Sequence, residues 1–300
     1  MKLLVVGGSS FIARNFLEQN DFSELDVTAT HLEKEDFPLF VKKLDKNIHP
    51  LKYNFLVDKL DFSGFDACIY FAGNANHTLA LENKQQDLTL NTTGLLNFLG
   101  TFRGRLIYMS SGAVYYGLGG LVSPESTVSP SFPYAISKLA SEYYIRSAAE
   151  EGRISGFTTI RFYYAFGPYE SSRRLIPRLF TQFVGGGLTE FAVNGDGRTL
   201  MQPMHVYDAV SALFRVVQID KGNLTIDLCS PKPFSLKDLV EKVAIVCGVR
   251  VAIKTHETSE KPIEFYSSPK EFNKVFSFEP KYNLRTGLEE YLNWWKNAKG

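Results

Sequence analysis

Tyr134 and Lys138 stand four residues apart in Phe132-Pro133-Tyr134-Ala135-Ile136-Ser137-Lys138, at the head of a helical pattern continued by Leu139 and Tyr143. Four residues is a little over one helical turn, so both side chains reach one small volume. A free phenol, with a pKa of about 10, is a poor acid or base near neutrality. An ammonium beside it favours the phenolate and brings that pKa toward the working range. On spacing alone an exposed amphipathic helix is the commoner source of such a pair. The surrounding elements have to decide.

Lys2 to Val6 is a short, nearly all-apolar run, as in a strand buried on both faces of a parallel sheet. It enters Gly7-Gly8-Ser9-Ser10 and then the helical pattern of Phe11, Ile12, Phe16 and Leu17. Strand, small-residue turn and helix set a helix N-terminus against a phosphate. Gly7 can supply the tight turn. Ser10 and Ala13 occupy the second and third glycine positions of a Gly-x-x-Gly-x-x-Gly fingerprint, and an ordinary strand–helix turn remains the plain alternative. A second strand spans residues 26–30. An acidic residue would bind an NAD ribose at its end, but His31 stands there with Lys34 close behind. That pairing leans toward the 2′-phosphate of NADP.

A helix is expected over 36–47 and a third strand over 53–57, ending at Asp58. A fourth strand, 67–71, runs into Phe71-Ala72-Gly73, small enough for a flat group to lie against the backbone. Only about eight residues separate it from Asp58, too few for a crossover helix. A long helix over 84–102 carries Asn91, and a fifth strand over 105–109 delivers Ser110-Ser111 at its carboxyl end, where ligands of open parallel sheets bind. Residues 117–133, rich in Gly, Ser and Pro, read as a covering loop. The Tyr134 helix and a strand over 157–162 follow. Strands alternating with helices imply an α/β chain: a doubly wound parallel sheet of Rossmann type. After Gly167-Pro168 the pattern turns to mixed short strands and helices. We therefore expect a dinucleotide-binding domain over 1–167 and a smaller C-terminal α+β substrate lobe over 168–300, with part of 199–230 returning to the first domain.

The totals remove several classes. Thirty-three Lys and Arg against 32 Asp and Glu leave a net charge of +1, so no field recruits nucleic acid or an anionic membrane. No apolar run approaches the roughly 18 residues of a membrane span, and the strand pattern at the amino terminus leads us to expect no signal peptide. Cys68, Cys229 and Cys247 lack metal-ligand or disulfide spacing, so reduced thiols in a cytoplasmic protein and no metal site are expected.

Taken together, the motifs resemble the extended short-chain dehydrogenase/reductases, the NAD-dependent epimerase/dehydratase family of nucleotide-sugar enzymes. The resemblance covers nearly the whole chain. It rests on Gly7-x-x-Ser10-x-x-Ala13, Asp58, Phe71-Ala72-Gly73, Ser110-Ser111, Tyr134/Lys138, Arg161 to Gly167-Pro168, Gly195-Asp196-Gly197 and His205-Val206-x-Asp208. It implies that Ser111 and Tyr134 hold the reacting oxygen, with Tyr134 exchanging the proton. Lys138 would bind the nicotinamide ribose and lower the Tyr134 pKa. Gly7, Ser10, Phe11, Ile12, His31, Asp58, Phe71, Ala72 and Gly73 would line the dinucleotide, and Asn91 would support the proton network unless it is a plain helix-surface Asn.

Two departures narrow the expectation. The family's 4,6-dehydratases carry an Asp-Glu pair directly after the catalytic Ser/Thr, and here Gly112-Ala113 stand there. Tyr164 and Met201 replace an Asn and an Arg that touch the substrate nucleotide or its diphosphate, so Arg173, Arg174 or Arg198 would have to supply the missing charge. The expected activity is a reductase of a nucleotide-linked 4-keto-6-deoxy sugar using NADP, with NAD as the alternative. A nucleotide-sugar epimerase is the second reading and a non-catalytic dinucleotide sensor the third. A homodimer through the helices over 84–102 and 134–150 is implied by the resemblance.

Overall fold

A computed structural model describes residues 1–187, 190–258 and 262–299. Seven parallel strands form its central sheet. The first five are β1 (Lys2–Val6), β2 (Asp26–His31), β3 (Ile48–Lys52), β4 (Ala67–Tyr70) and β5 (Arg105–Ser111). The sheet runs Leu224–Leu228, Gly156–Phe162, β5, β4, β1, β2, β3, with every pairing parallel. This is the doubly wound order, reversing direction between β1 and β4.

Alternation along the strands serves both faces at once. Leu3 and Val5 point into one core, with Phe16 and Leu17 of the helix Phe11–Gln19 and Val210 and Leu213 of the helix Val206–Gln218. Leu4 and Val6 point into the other, with Tyr70, Tyr108, Phe98 and Ile145. A third apolar cluster joins Phe180 and Phe183 to Val240, Val243 and Tyr291, which packs the C-terminal helices on one another. Because all strands run one way, Gly7, His31, Phe71 and Ser111 gather at a single sheet edge.

The third strand differs from the expected 53–57. β3 is Ile48–Lys52, and Tyr53 adds only one further hydrogen bond, to the His31 carbonyl at 2.9 Å. Pro50 argues against a strand in sequence, but β3 pairs on one side only, where a missing N–H is tolerated. Past it the chain turns: the Asn54 amide oxygen accepts from Leu56 N–H at 3.0 Å, and the Asp58 carboxylate accepts from Asn54 N–H at 2.7 Å. The helix expected over 36–47 is the shorter Phe37–Lys43. The helix expected over 84–102 ends at Leu99 and widens into a π-helical turn at Thr89–Thr93. Residues 117–133 are not all loop: Gly119–Val122 is a strand paired in parallel with Glu264–Ser267, contributed from 145 residues further along the chain (Gly119 with Glu264). Among the described residues no helix is long and apolar enough to cross a membrane.

Candidate active site

The helix Pro133–Glu150 starts with Pro at its first position, where the missing N–H costs nothing. Its first two turns bury Tyr134, Ser137 and Lys138 against the end of β5. Ser111, the last residue of β5, caps the short 3-10 turn Gly112–Tyr115 by accepting from Ala113 N–H at 3.1 Å. Its hydroxyl lies near enough to the Tyr134 phenol to favour the ionised form. The structure thus brings Ser111, Tyr134 and Lys138 to one place.

Their electrostatics differ from the simple phenol–ammonium picture. Burial pushes the Tyr134 phenol above its usual value, and the Ser111 hydroxyl and the Arg174 charge only partly oppose it. Lys138 turns its ammonium onto the Met109 carbonyl at 2.5 Å and lies 4.3 Å from the centre of the Tyr108 ring. Burial brings it down to about 7, against the opposing charges of Glu142 and Asp87. Lys138 is not among the groups that shift the Tyr134 phenol here. In this arrangement burial governs both groups.

Behind the pair lie two polar chains. Arg161 holds Glu142 through Nη2 at 2.8 Å and donates to the Tyr115 hydroxyl at 3.0 Å, which in turn donates to Asp227 at 2.9 Å. Ser267 donates to the same Asp227 at 2.6 Å, locking the C-terminal segment to the sheet. In the second chain Asn91 is fully buried and not a surface residue. Its amide nitrogen donates to Asp87 and to the Ser137 hydroxyl, both at 3.0 Å, and its oxygen accepts from Asn74 N–H at 2.9 Å.

The dinucleotide side is built from close backbone approaches. Gly7 has φ +82°, and a Cβ there would lie 2.8 Å from the Ala72 nitrogen. Gly73 has φ +132°, and a Cβ there would lie 2.6 Å from the Asn91 side-chain oxygen. Ser10 precedes the helix Phe11–Gln19 without capping it, and its hydroxyl is buried with no hydrogen-bond partner. That orphaned hydroxyl, the two glycines and the open first turn fit a bound diphosphate. His31 lies tilted against Phe37 (5.3 Å between ring centres), and burial, then the Lys52 charge, hold its imidazole below its usual value. A neutral His31 is a weak receiver for a phosphate. Asp58 is exposed, with its carboxylate engaged by Asn54.

The sequence missed Arg14, whose guanidinium donates to Asp36 at 2.8 Å and lies 4.9 Å from the centre of the Phe40 ring, near the end of β2. It also missed His77, whose ring centre is 4.7 Å from that of Tyr134. His77 reaches solvent, yet desolvation and then the Arg174 charge keep its imidazole below the usual value. A lone His at a helix start carries no motif.

On the substrate side, Arg174 donates to Glu170 at 3.0 Å and stacks over the Tyr164 ring at 4.8 Å. The Tyr164 hydroxyl donates to the same Glu170 oxygen at 3.1 Å. Burial pushes Glu170 up to about 7 in spite of the Arg174 charge. Arg198 is tied to Asp196 on an exposed turn. Met201 is half-buried in a two-residue strand beside Phe234.

A doubly wound sheet with Tyr134 and Lys138 buried beside a half-buried Ser111 at its carboxyl edge is the arrangement of a dinucleotide-dependent enzyme of the epimerase/dehydratase class. The sequence pattern of the NAD dependent epimerase/dehydratase family matches residues 3–227, and the chain belongs to that family. The chain is 25% identical to a dTDP-glucose 4,6-dehydratase of Streptomyces niveus, over 100% of this chain and 94% of that protein. It is 22% identical to a putative UDP-glucose 4-epimerase of Methanocaldococcus jannaschii, over 98% of each. The UDP-glucuronic acid 4-epimerase of Bacillus cereus, solved with UDP-glucuronic acid and NAD, shares the fold at a TM-score of 0.87 and 17% identity, covering 99% of this chain and 100% of that one.

Proposed function

We propose that this protein is an NAD(P)H-dependent reductase of a nucleotide-linked 4-keto-6-deoxy sugar, within a family whose relatives include nucleotide-sugar dehydratases and epimerases. The observation that carries it is the packing directly after Ser111. A Cβ at Gly112 would meet the Tyr163 ring at 3.1 Å, so the ring would have to shift to admit the first carboxylate of a dehydratase pair. In this reading the proton relay is kept and the elimination chemistry is absent.

Gly7, Ser10, Phe11 and Ile12 hold the diphosphate in this reading, and Phe71, Ala72 and Gly73 line the path to the nicotinamide. The dinucleotide, when bound, supplies the hydride. Ser111 and Tyr134 hold the ketone oxygen and Tyr134 gives it a proton. The high proton affinity that burial gives Tyr134 suits a donor acting toward a forming alkoxide. Lys138 holds the ribose hydroxyls. Arg174, aimed by Glu170 and Tyr164, takes over the charge absent at Met201. Residues 1–167 with the helix Val206–Gln218 and the strand Leu224–Leu228 form the dinucleotide half, and most of the rest of 168–300 forms the substrate half. Leu88, Leu96, Ile136 and Tyr143 are exposed on two packed helices, which suits a homodimer. Three free thiols suit a cytoplasmic setting.

An epimerase is the second reading, favoured by the fold shared with 4-epimerases. Mixing the protein with NADPH and a nucleotide-linked 4-keto sugar separates the two. Stoichiometric loss of reduced-nicotinamide absorbance supports reduction. Interconversion of sugar epimers with no net change in the cofactor would replace that reading with the second.

A further inference from the structure

The Tyr134–Lys138 pair rests on a carboxylate that no motif marks. Asp87, on the short helix Lys84–Leu88, is 1% exposed. One of its oxygens accepts from the Asn74 amide at 2.6 Å and from the Asn91 amide at 3.0 Å, and the other accepts from the Ser137 hydroxyl at 2.7 Å. The three donors sit on three elements: the segment after β4, the π-helical turn and the helix of Tyr134 and Lys138. Ser137 adds a bond to the Tyr134 carbonyl at 3.0 Å, and Asn74 continues to Asn76, which caps the helix carrying His77. All three donors are neutral, and among the described residues no Lys, Arg or His forms an ion pair with Asp87. A carboxylate buried in this way keeps most of its field, because no solvent screens it.

The groups that share the field can be named. On its own helix Lys138 faces Tyr134 and Glu142. From β5 it meets the Met109 carbonyl and the Tyr108 ring. From the strand Gly156–Phe162 comes Arg161, whose charge is already matched by Glu142. The Arg174 and Asp87 charges act on both His77 and Tyr134. Glu142, already paired with Arg161, and then Asp87 are the anions that act on Lys138.

We propose that Asp87 is a positioning residue of the proton relay, clamping the segment after β4 to the Tyr134–Lys138 helix and keeping Lys138 an ammonium. It acts through Ser137, Asn91 and its charge, not by touching substrate, and its importance to turnover rests on the relay described above. The opposing influence of Asp87 on the Lys138 proton affinity agrees with this role.

The test is the titration of Lys138 in protein labelled at lysine Cε with carbon-13, with Lys138→Met used to assign the resonance. Asp87→Asn keeps the size and most of the hydrogen bonds and removes the charge. The Lys138 midpoint is expected to fall by about one pH unit, a tenfold loss of the charged form on its alkaline side. Ser137→Ala removes one donor and no charge, so its midpoint should stay within about 0.3 units of the unaltered protein's, well under that shift. Dinucleotide affinity, followed by NADPH fluorescence from pH 6 to 9, should weaken at lower pH in Asp87→Asn than in the unaltered protein.

A midpoint unmoved or raised in Asp87→Asn overturns the proposal, as does an equal shift in Ser137→Ala. Asp87→Ser, which leaves room for a water, gives the same expectation if the Asn variant does not fold. Failure of both neutral variants to fold while Ser137→Ala folds would assign Asp87 a purely structural role and also overturn it. An unaltered protein that binds no dinucleotide would sink the reductase reading, while the lysine titration would still decide the role of Asp87.

Discussion

Gly73→Ala would test the junction between the dinucleotide path and the buried polar chain. Gly73 has φ +132°, where an L side chain is strained by on the order of 1–3 kcal/mol. The new Cβ would also stand 2.6 Å from the Asn91 oxygen, roughly 0.8 Å inside ordinary contact. Asn91 cannot simply yield, because that oxygen accepts from Asn74 N–H and its nitrogen serves Asp87 and Ser137. Displacing it leaves a buried donor unpaired at a further cost of about 1–3 kcal/mol. Together these give about 2–6 kcal/mol. At about 2–4 °C per kcal/mol for a chain of this size, the melting temperature should fall by at least about 4 °C. Gly117→Ala is the control: φ is +96°, but nothing lies within 4 Å of its Cβ, so only the conformational part remains. Scanning calorimetry of both variants, with NADPH binding by fluorescence, decides the matter. Equal shifts for the two, or a Gly73→Ala protein that melts within 1 °C of the original, would refute the clash.

Tyr134→Phe should lower turnover by about 10²–10⁴-fold while leaving dinucleotide affinity within about twofold; full activity would remove Tyr134 as the acid. Arg174→Ala deletes a charge-assisted contact worth about 1.5–3 kcal/mol, so KM for the nucleotide sugar should rise at least about tenfold with kcat nearly kept, and an unchanged KM would count against the assignment. Thermal-shift measurements should show greater stabilisation by NADPH than by NADH at equal concentration, and the reverse order would move weight to the epimerase. Stability itself should depend on pH in two steps. Glu170 at about 7 and Asp227 at about 6 lie above ordinary carboxylate values, so the folded chain binds the extra protons and these groups lose stability as pH rises from about 4 to 7. Lys138 at about 7 lies below its unfolded value, so its contribution improves as pH rises from there toward 10. Urea unfolding should show these groups weakest near pH 7, with the acid-side decline reduced in Glu170→Gln; an unaltered slope in that variant would remove Glu170 from the account.

Much of the fold was legible because its signals are local. The apolar run before Gly7, the strand carrying Ser111 and the Tyr134–Lys138 helix each declare themselves within a dozen residues. The errors arise where distant contacts decide. Pro50 looks like a strand breaker until β3 is known to be an edge. Gly119–Val122 is a strand only because Glu264–Ser267 lies beside it. The Lys138 charge was expected to act on Tyr134, but burial, which depends on the whole fold, prevails for both. Asp87 was invisible because one Asp on a polar stretch of helix looks solvated until the elements around it are assembled.

The strand Leu224–Leu228 has a consequence for synthesis. When the ribosome has released the first 167 residues, six of the seven strands exist, and Gly156–Phe162 presents its open side to whatever is near. The residue that Arg161 pairs with in register, Asp227, has yet to be made. At about 5–20 residues per second the roughly 60 residues still to come take several seconds. During that interval a buried-type strand stands as a bare edge, open to pairing with a neighbouring nascent chain. Truncations ending before residue 224 should therefore aggregate where the full chain does not.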